Sequence, residues 1–323
     1  MPNTFDDIIP ENPDYFQAIN IVEKKTLPYW RPVIDYLLQK HNLSQMKISQ
    51  ISEGSNALFN VGNEYILKIV PPNWKYQGEA EVASIQLLSG KLPLSIPNLL
   101  VYGEINNWFY VIMTLLPGEN LAVKWPTMSL EDRSIITQEV GYFMRTLHQV
   151  NVAMESPLRA SWSEYINQLY ADCLARHQRK NIAPQLLDQL PTYLEKNPYQ
   201  MDDGQDIFIH MDLHPWNIMI AHKNDKPTVS GILDFGDAII GRSRLLELAT
   251  PLLFLCQGNK QLCETLLRSY SLLSDSNRPQ LQTDLMVTSL LRPACDFNFV
   301  MAQVARSAPR DTWEQIGQQL FPI

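Results

Sequence analysis

Ile209-His210-Met211-Asp212-Leu213-His214-Pro215-Trp216-Asn217-Ile218-Met219-Ile220, followed after a short gap by Gly231-Ile232-Leu233-Asp234-Phe235-Gly236, is the part of the chain whose reading decides the fold. Both segments set polar residues beside apolar runs of strand character. In the pattern His-x-Asp-x-x-x-x-Asn, Asp212 is a candidate base that accepts a hydrogen bond from a substrate hydroxyl, and Asn217 offers magnesium a neutral oxygen. Asp234 supplies a charged ligand. Magnesium prefers hard oxygen donors and keeps several waters, so Asn217 and Asp234 with nucleotide phosphates make a complete site. A base and two metal ligands in this order are the parts that kinase-type phosphoryl transfer uses.

The residues upstream supply what such a site needs on its phosphate side. Three short segments of strand character, Lys47 to Ser52, Leu58 to Val61 and Tyr65 to Val70, form a meander, with Gly62-Asn63 as a hairpin-type turn. Between the first two, Gly54 and Ser55 let backbone amides approach phosphate oxygens, because glycine has no Cβ to hold the chain away. Alternation places Lys68 on the face of Ile66 and Val70, and a lysine directed into an apolar lobe needs a partner. The helix expected from about Gly78 to Ser89 offers both Glu79 and Glu81. Two more strands, from Ile96 to Gly103 and from Trp108 to Met113, complete a five-stranded antiparallel sheet, which the chain leaves through Thr114-Leu115-Leu116-Pro117-Gly118.

The segment 210–217 with 234–236 resembles the catalytic and metal-binding loops of the aminoglycoside phosphotransferase family, within the wider group of small-molecule kinases that includes choline and homoserine kinases. Glu53-Gly54-Ser55-Asn56-Ala57 and the strand around Lys68 are similar to that family's nucleotide loop and lysine strand, and the likeness runs from about residue 45 to 250. It implies an α+β, bilobal, protein-kinase-like fold: a nucleotide-binding lobe over 45–116 with a five-stranded antiparallel sheet and a helix, and a mainly helical lobe over 117–323. It selects Glu81 as the partner of Lys68, together positioning the α and β phosphates. It places the adenine edge against backbone near Thr114 and Leu116, with Met113 beside the ring. It makes Asp212 the catalytic base, Asn217 and Asp234 the ligands of Mg2+, and ATP the co-substrate, with GTP an alternative. His210 becomes a scaffold that hydrogen-bonds the loop backbone, and His214 a loop-packing residue. Two departures stand out: Glu247 occupies a position where many members have aspartate, and Met211 replaces a common glycine.

Composition sets outer bounds. The 323 residues are 45% hydrophobic and 19% charged, enough for a large core in a two-lobed unit or two domains. Cys173, Cys256, Cys263 and Cys295 are scattered without a Cys-x-x-Cys pair, which fits reduced thiols. The net charge of −8, without a long basic run, disfavours a nucleic-acid or anionic-membrane partner and suits a cationic acceptor. No stretch reaches the ~18 uninterrupted apolar residues of a membrane span, and the first residues lack an export signal, so the expected location is cytoplasmic.

Residues 1–44 read as an N-terminal extension and helix: a polar, proline-containing arm to about residue 27, then an amphipathic helix carrying Trp30, Val33, Ile34, Leu37 and Leu38. Asp202, Asp203 and Asp206 read as a solvated acidic turn, and His148 as structural. After Gly236 the chain runs straight into a helix with no long activation segment, which points to a small hydroxylated acceptor instead of a peptide. In the resembled family the C-terminal helices build the acceptor pocket, so Asp275, Asp284, Asp296, Asp311 and Glu314 are candidates to meet a polyamine. The reading is therefore an ATP-dependent O-phosphotransferase acting on an aminoglycoside-like antibiotic, an antibiotic-resistance activity. Its competitors are a kinase of choline, homoserine, a sugar or another metabolite, a non-catalytic pseudokinase, and a metal hydrolase using His210-x-Asp212-x-His214.

Overall fold

Six consecutive residues of one strand, Trp108 to Met113, are buried, so this strand must be covered on both faces. The computed structural model describes residues 5–52, 54–152, 155–159 and 161–323, and shows how the cover is built. The chain forms two compact units. The first comprises residues 1–89, 96–116 and 234–237, and the second 90–95, 117–233 and 238–323.

In the first unit, α1 (Tyr15–Lys24) and α2 (Leu27–Lys40) precede β1 (Ile48–Ile51), β2 (Ala57–Val61) and β3 (Tyr65–Val70). Then follow α3 (Lys75–Leu88), β4 (Leu99–Ile105) and β5 (Trp108–Thr114). The strands make a five-stranded antiparallel sheet in the order β1-β2-β3-β5-β4. Side chains alternate across a strand, so Leu67 and Ile69 of β3, with Trp108, Tyr110 and Ile112 of β5, share one core with Ile21, Val22, Trp30, Ile34 and Leu37. Lys68 lies opposite Val111 on the other face. There Gly78 of α3 meets Phe109: a Cβ at residue 78 would overlap that ring, so the glycine sets how closely the helix approaches the sheet.

The N-terminal segment differs from the arm that its polar composition suggests. Ile9 and Ala18 are fully buried, and α1 opens with a capping box in which Asp14 and Gln17 exchange hydrogen bonds. Trp108 Nε1 donates to Pro10 O at 2.8 Å, Asn106 Nδ2 donates to Ile9 O, and Tyr29 Oη donates to Ile8 O at 2.6 Å. These contacts stitch residues 8–10 to the β4–β5 turn and to α2. Of the sequence motifs, Glu53 lies outside the described residues, as do residues 1–4.

The second unit is mainly helical. A short strand β6 (Glu119–Asn120) and α4 (Leu121–Lys124) lead to α5 (Leu130–Leu147), capped by Ser129, then α6 (Trp162–Arg179) and α7 (Pro184–Lys196). Strands β7 (Ile207–Ile209), β8 (Ile218–Lys223), β9 (Lys226–Ile232) and β10 (Ile239–Gly241) come next. The chain ends with α8 (Arg244–Pro251), α9 (Lys260–Tyr270), α10 (Arg278–Leu291), α11 (Phe297–Gln303) and α12 (Trp313–Leu320). Strands β8 and β9 form a hairpin whose turn residues Asn224 and Asp225 both have positive φ, the turn chemistry that matches strand twist. β6 pairs with β8, and β7 with β10. A one-turn π-helix, Leu252–Cys256, continues α8. The acidic residues 202–206 lie on an exposed loop, as expected, and each acid has an arginine beside it: Asp202 pairs with Arg242, Asp203 with Arg244 and Asp206 with Arg159. Among the described residues no helix is long and apolar enough to cross a membrane.

Because Trp30 sits fully buried between Phe59 and Trp108, Trp30→Ala is expected to lower the unfolding free energy by about 3–5 kcal/mol. Urea unfolding followed by circular dichroism measures this. A loss below about 1 kcal/mol would show that the N-terminal helices do not seal the sheet.

Candidate active site

In the first unit a single ammonium holds two carboxylates. Lys68 Nζ lies 2.7 Å from Glu81 Oε2 and 2.9 Å from Asp234 Oδ1. Strand β3 directs the lysine toward α3, α3 presents the fully buried Glu81 on its inner face, and residues 234–237 pack in the same unit. Burial alone would depress the lysine, but Asp234 and then Glu81 outweigh it and hold the ammonium protonated above its ordinary range. Burial also pushes Glu81 upward, against the pull of Lys68. Asp234 takes a positive φ of 56°, which aspartate tolerates better than most residues, and its Oδ1 also accepts from Gly236 N–H at 3.3 Å. Gln77 of α3 donates to Asp237 Oδ1 at 2.8 Å.

Two further parts of this unit hold residues singled out from the sequence. Gly54 has a φ of 112°, a conformation that L side chains rarely adopt, so the loop before β2 depends on glycine there. Trp74 Nε1 donates to Asn56 Oδ1 at 2.9 Å and fixes the end of that loop beside the exposed Gly54 and Ser55. At the exit from β5, Thr114 N–H donates to Asn98 O and Leu115 N–H to Glu64 O. Among the described residues no hydrogen bond engages the Leu116 amide, so of the two hinge residues named from sequence it is the one with a donor to spare. Met113 and Leu116 are both nearly buried.

In the second unit the loop between β7 and β8 is braced from below. Met211 has a φ of 71°, a left-handed conformation that costs a non-glycine residue about 1–2 kcal/mol. Its carbonyl accepts from Thr250 Oγ1 at 3.0 Å and from the buried Arg292 at 3.1 Å. Its N–H donates to Glu247 at 3.3 Å, and His210 N–H donates to the same carboxylate oxygen. Burial pushes the Glu247 carboxyl up to about 7, against the two N–H donors and Arg292. His210 Nε2 meets Leu233 O at 3.0 Å, which assigns the proton to Nε2, and Nδ1 accepts from Asp212 N–H at 3.3 Å.

These supports aim Asp212. Its Oδ2 accepts from Asn217 Nδ2 at 3.0 Å and lies 3.2 Å from His214 Nε2, and among the described residues nothing hydrogen-bonds its Oδ1. Burial alone would raise this carboxyl, but the hydrogen bond and charge of His214, with His210 and Arg292, hold it down at about 2. Asn217 commits its amide hydrogens to Asp212 O and Oδ2, so its own Oδ1 is left to accept. Its backbone carbonyl is bonded by Leu233 N–H at 2.9 Å, the residue immediately before Asp234.

The profile of the phosphotransferase enzyme family designated APH matches residues 47–254. The chain belongs to that family. Solved structures agree on the fold. The GDP complex of wild-type aminoglycoside 2'-phosphotransferase-IIIa superposes with a TM-score of 0.65 at 14% identity, covering 90% of this chain and 97% of that one. The GDP and kanamycin complex of APH(2")-IIia gives 0.63 at 16% identity, with 91% and 97% covered. Aminoglycoside phosphotransferase APH(3'')-Id from Streptomyces rimosus, in complex with ADP and streptomycin, gives 0.60 at 16% identity, with 82% and 99% covered. No curated protein matches the chain. The α+β, kinase-like architecture expected from sequence is thus the architecture observed.

Within this phosphotransferase, Lys68, Glu81 and Asp234 come together in one unit, and Asp212 and Asn217 in the other. Three of the five C-terminal acids offered for a polyamine have local partners: Asp275 pairs with Arg278, Asp284 accepts from Gln280, and Asp296 caps α11 and faces Lys180. Sequence reading noticed Glu247 only as a departure and passed over Thr250 and Arg292. A buried-helix pattern containing a glutamate is the one local signal for the first; Arg292, some eighty residues from Met211, has none.

Lys68→Met is expected to cost about 3–5 kcal/mol of stability by leaving Glu81 buried without its cation; denaturant unfolding reports it, and a neutral result would refute the pairing. For Glu247, a carboxyl near 7 in the folded chain against 4.5 ordinarily keeps its proton where the unfolded chain has lost it. Its contribution is therefore full below about pH 4.5 and is lost as pH rises through 7, a fall of up to roughly 3 kcal/mol. Glu247→Gln should flatten the stability–pH curve over that window; an unchanged slope would show that Glu247 does not titrate there.

Proposed function

We propose that this small-molecule phosphotransferase moves the γ-phosphate of ATP to a hydroxyl, with an aminoglycoside as the first acceptor class. The observation that carries the reading is Asp212: an ionised carboxylate with one oxygen tethered by Asn217 and His214 and the other clear to accept a proton. A base in this position orients the acceptor hydroxyl and takes its proton as the phosphorus–oxygen bond forms. Lys68, kept charged between Glu81 and Asp234, provides fixed positive charge for the phosphates, and the Gly54–Ser55 loop provides backbone amides. Leu116, with Thr114 and Met113, is assigned to the adenine.

The donor set suits magnesium. Asn217 has an amide oxygen and Asp234 a carboxylate that is 44% exposed, both of them hard oxygen donors of the kind magnesium prefers. Bound there, Mg2+ would neutralise charge on the phosphates. A zinc hydrolase is disfavoured because both ring nitrogens of His210 are spent on backbone partners, which removes it from any ligand string.

Aminoglycosides are favoured by the structural relatives, two of which were solved with kanamycin and streptomycin, and by the net charge of −8. The GDP complexes among them make GTP the second nucleotide to test. An acceptor screen with Mg2+ and each nucleotide, following nucleoside diphosphate release and mass of the product, separates aminoglycosides from choline, homoserine and sugars. Asp212→Ala is expected to lose 10²- to 10⁴-fold in turnover while nucleotide binding persists. Wild-type turnover in that variant would refute the assignment, and nucleotide binding without transfer to any acceptor would favour a pseudokinase.

A further inference from the structure

Arg292 lies only 2% exposed at the end of α10, and its Nη2 donates to Met211 O at 3.1 Å, across 81 residues of chain. Its Nε and Nη1 are buried and have no hydrogen-bond partner among the described residues. Two unspent donors on a buried cation are unfavourable, so packing alone does not account for an arginine here. The residue also stands on a fixed base, because α6 grips the end of α10. Arg176 Nη2 donates to Leu291 O at 2.7 Å, Cys173 Sγ donates to Leu290 O at 3.3 Å, and His177 Nε2 lies 2.9 Å from that same oxygen. All of these residues, with Met211 and Asp212, belong to the second unit. Residue 292 lies beyond the stretch 47–254 that the family profile matches.

The bond falls on the peptide that enters Asp212. The carbonyl of that peptide accepts from Arg292 and from Thr250 Oγ1, and its N–H donates to His210 Nδ1. Its rotation fixes ψ of Met211 and φ of Asp212, and thereby the direction of the Asp212 side chain. Met211 opposes this arrangement: at a φ of 71° a non-glycine residue is biased toward release by about tenfold in an equilibrium. Such a backbone persists only where its neighbours over-determine it.

We propose that Arg292 is a positioning residue for phosphotransfer: by holding the 211–212 peptide against the strain at Met211, it keeps Asp212 aimed at the acceptor hydroxyl. Its effect on rate rests on the phosphotransfer reading, and its effect on the loop does not. A bond from a charged donor is worth about tenfold or more, which matches the bias it opposes. With glycine at 211 that bias is gone, and Arg292 has less to hold.

The test is a double-mutant cycle in the full chain, with Arg292→Met and Arg292→Lys each made beside Met211 and beside Met211→Gly. Loop order is read as amide hydrogen exchange across residues 207–218 by mass spectrometry, and transfer as ADP release from ATP and Mg2+ with kanamycin. With Met211 in place, Arg292→Met should speed exchange of that segment about tenfold and lower kcat by a similar factor, while the KM for ATP moves less than about twofold. Arg292→Lys keeps the positive charge beside Glu247, which guards against a variant that fails to fold, and should show the same changes at about threefold. Beside Met211→Gly the cost of either substitution should shrink to less than about twofold. Unchanged exchange, loosening spread evenly over the helices of the second unit, or an equal cost in both backgrounds overturns the proposal. So does an undiminished kcat in Arg292→Met, an outcome that leaves the phosphotransfer reading intact. Loosening confined to the loop and relieved by glycine, without transfer to any acceptor in any variant, supports the hold on the loop and counts against the phosphotransfer reading.

Discussion

A buried ammonium shared between two carboxylates is the constraint on which the first unit depends. Lys68 cannot be left alone in an apolar layer, since an unpaired charge there costs several kcal/mol, and Glu81 is equally untenable without it. The pair therefore locks β3 to α3, and the second carboxylate, from Asp234, draws residues 234–237 into the same unit even though the chain on either side belongs to the other. The surplus of negative charge around one cation keeps the lysine protonated at any physiological pH.

The second unit solves a different problem. Its loop must present one carboxylate oxygen while the backbone passes through Met211 in a conformation suited to glycine. The strain is held by three partners that sit far apart in the chain: Glu247, Thr250 and Arg292. Glu247 takes the N–H groups of His210 and Met211 on one oxygen and Arg292 reaches the Met211 carbonyl in the next peptide, so the loop is gripped by both its donors and its acceptor. Asn217 and His214 then complete the aim of Asp212 from within the loop itself.

Much of this was legible because it is local. Alternation in β3 placed Lys68 on the face of Ile66 and Val70 and asked for a partner, the helical spacing of Trp30, Val33, Ile34, Leu37 and Leu38 announced α2, and the His-x-Asp-x-x-x-x-Asn spacing marked the loop between β7 and β8. What escaped is non-local. Ile9 and Pro10 look like an arm until Asn106 and Trp108 are seen to bind their carbonyls, and the arginines at 159, 242 and 244 that pair with the exposed acids of 202–206 are distant in sequence or follow a strand. Trp216, Phe254 and Phe299 come from three separate elements and meet only in space.

The stitching of residues 8–10 to the β4–β5 turn also governs the order in which the molecule can assemble. During synthesis Ile9, Trp30 and Leu37 emerge long before Trp108, and at ~5–20 residues per second they wait for several seconds for that part of their core. The sheet cannot close early, because β5 lies between β3 and β4 and is translated last of the five. The helix pair can meet Phe59, Val61 and Leu67 of the first three strands early, but its contact with Trp108, Tyr110 and Ile112 waits for the final strand, and part of its apolar face stays open to aggregation in that interval.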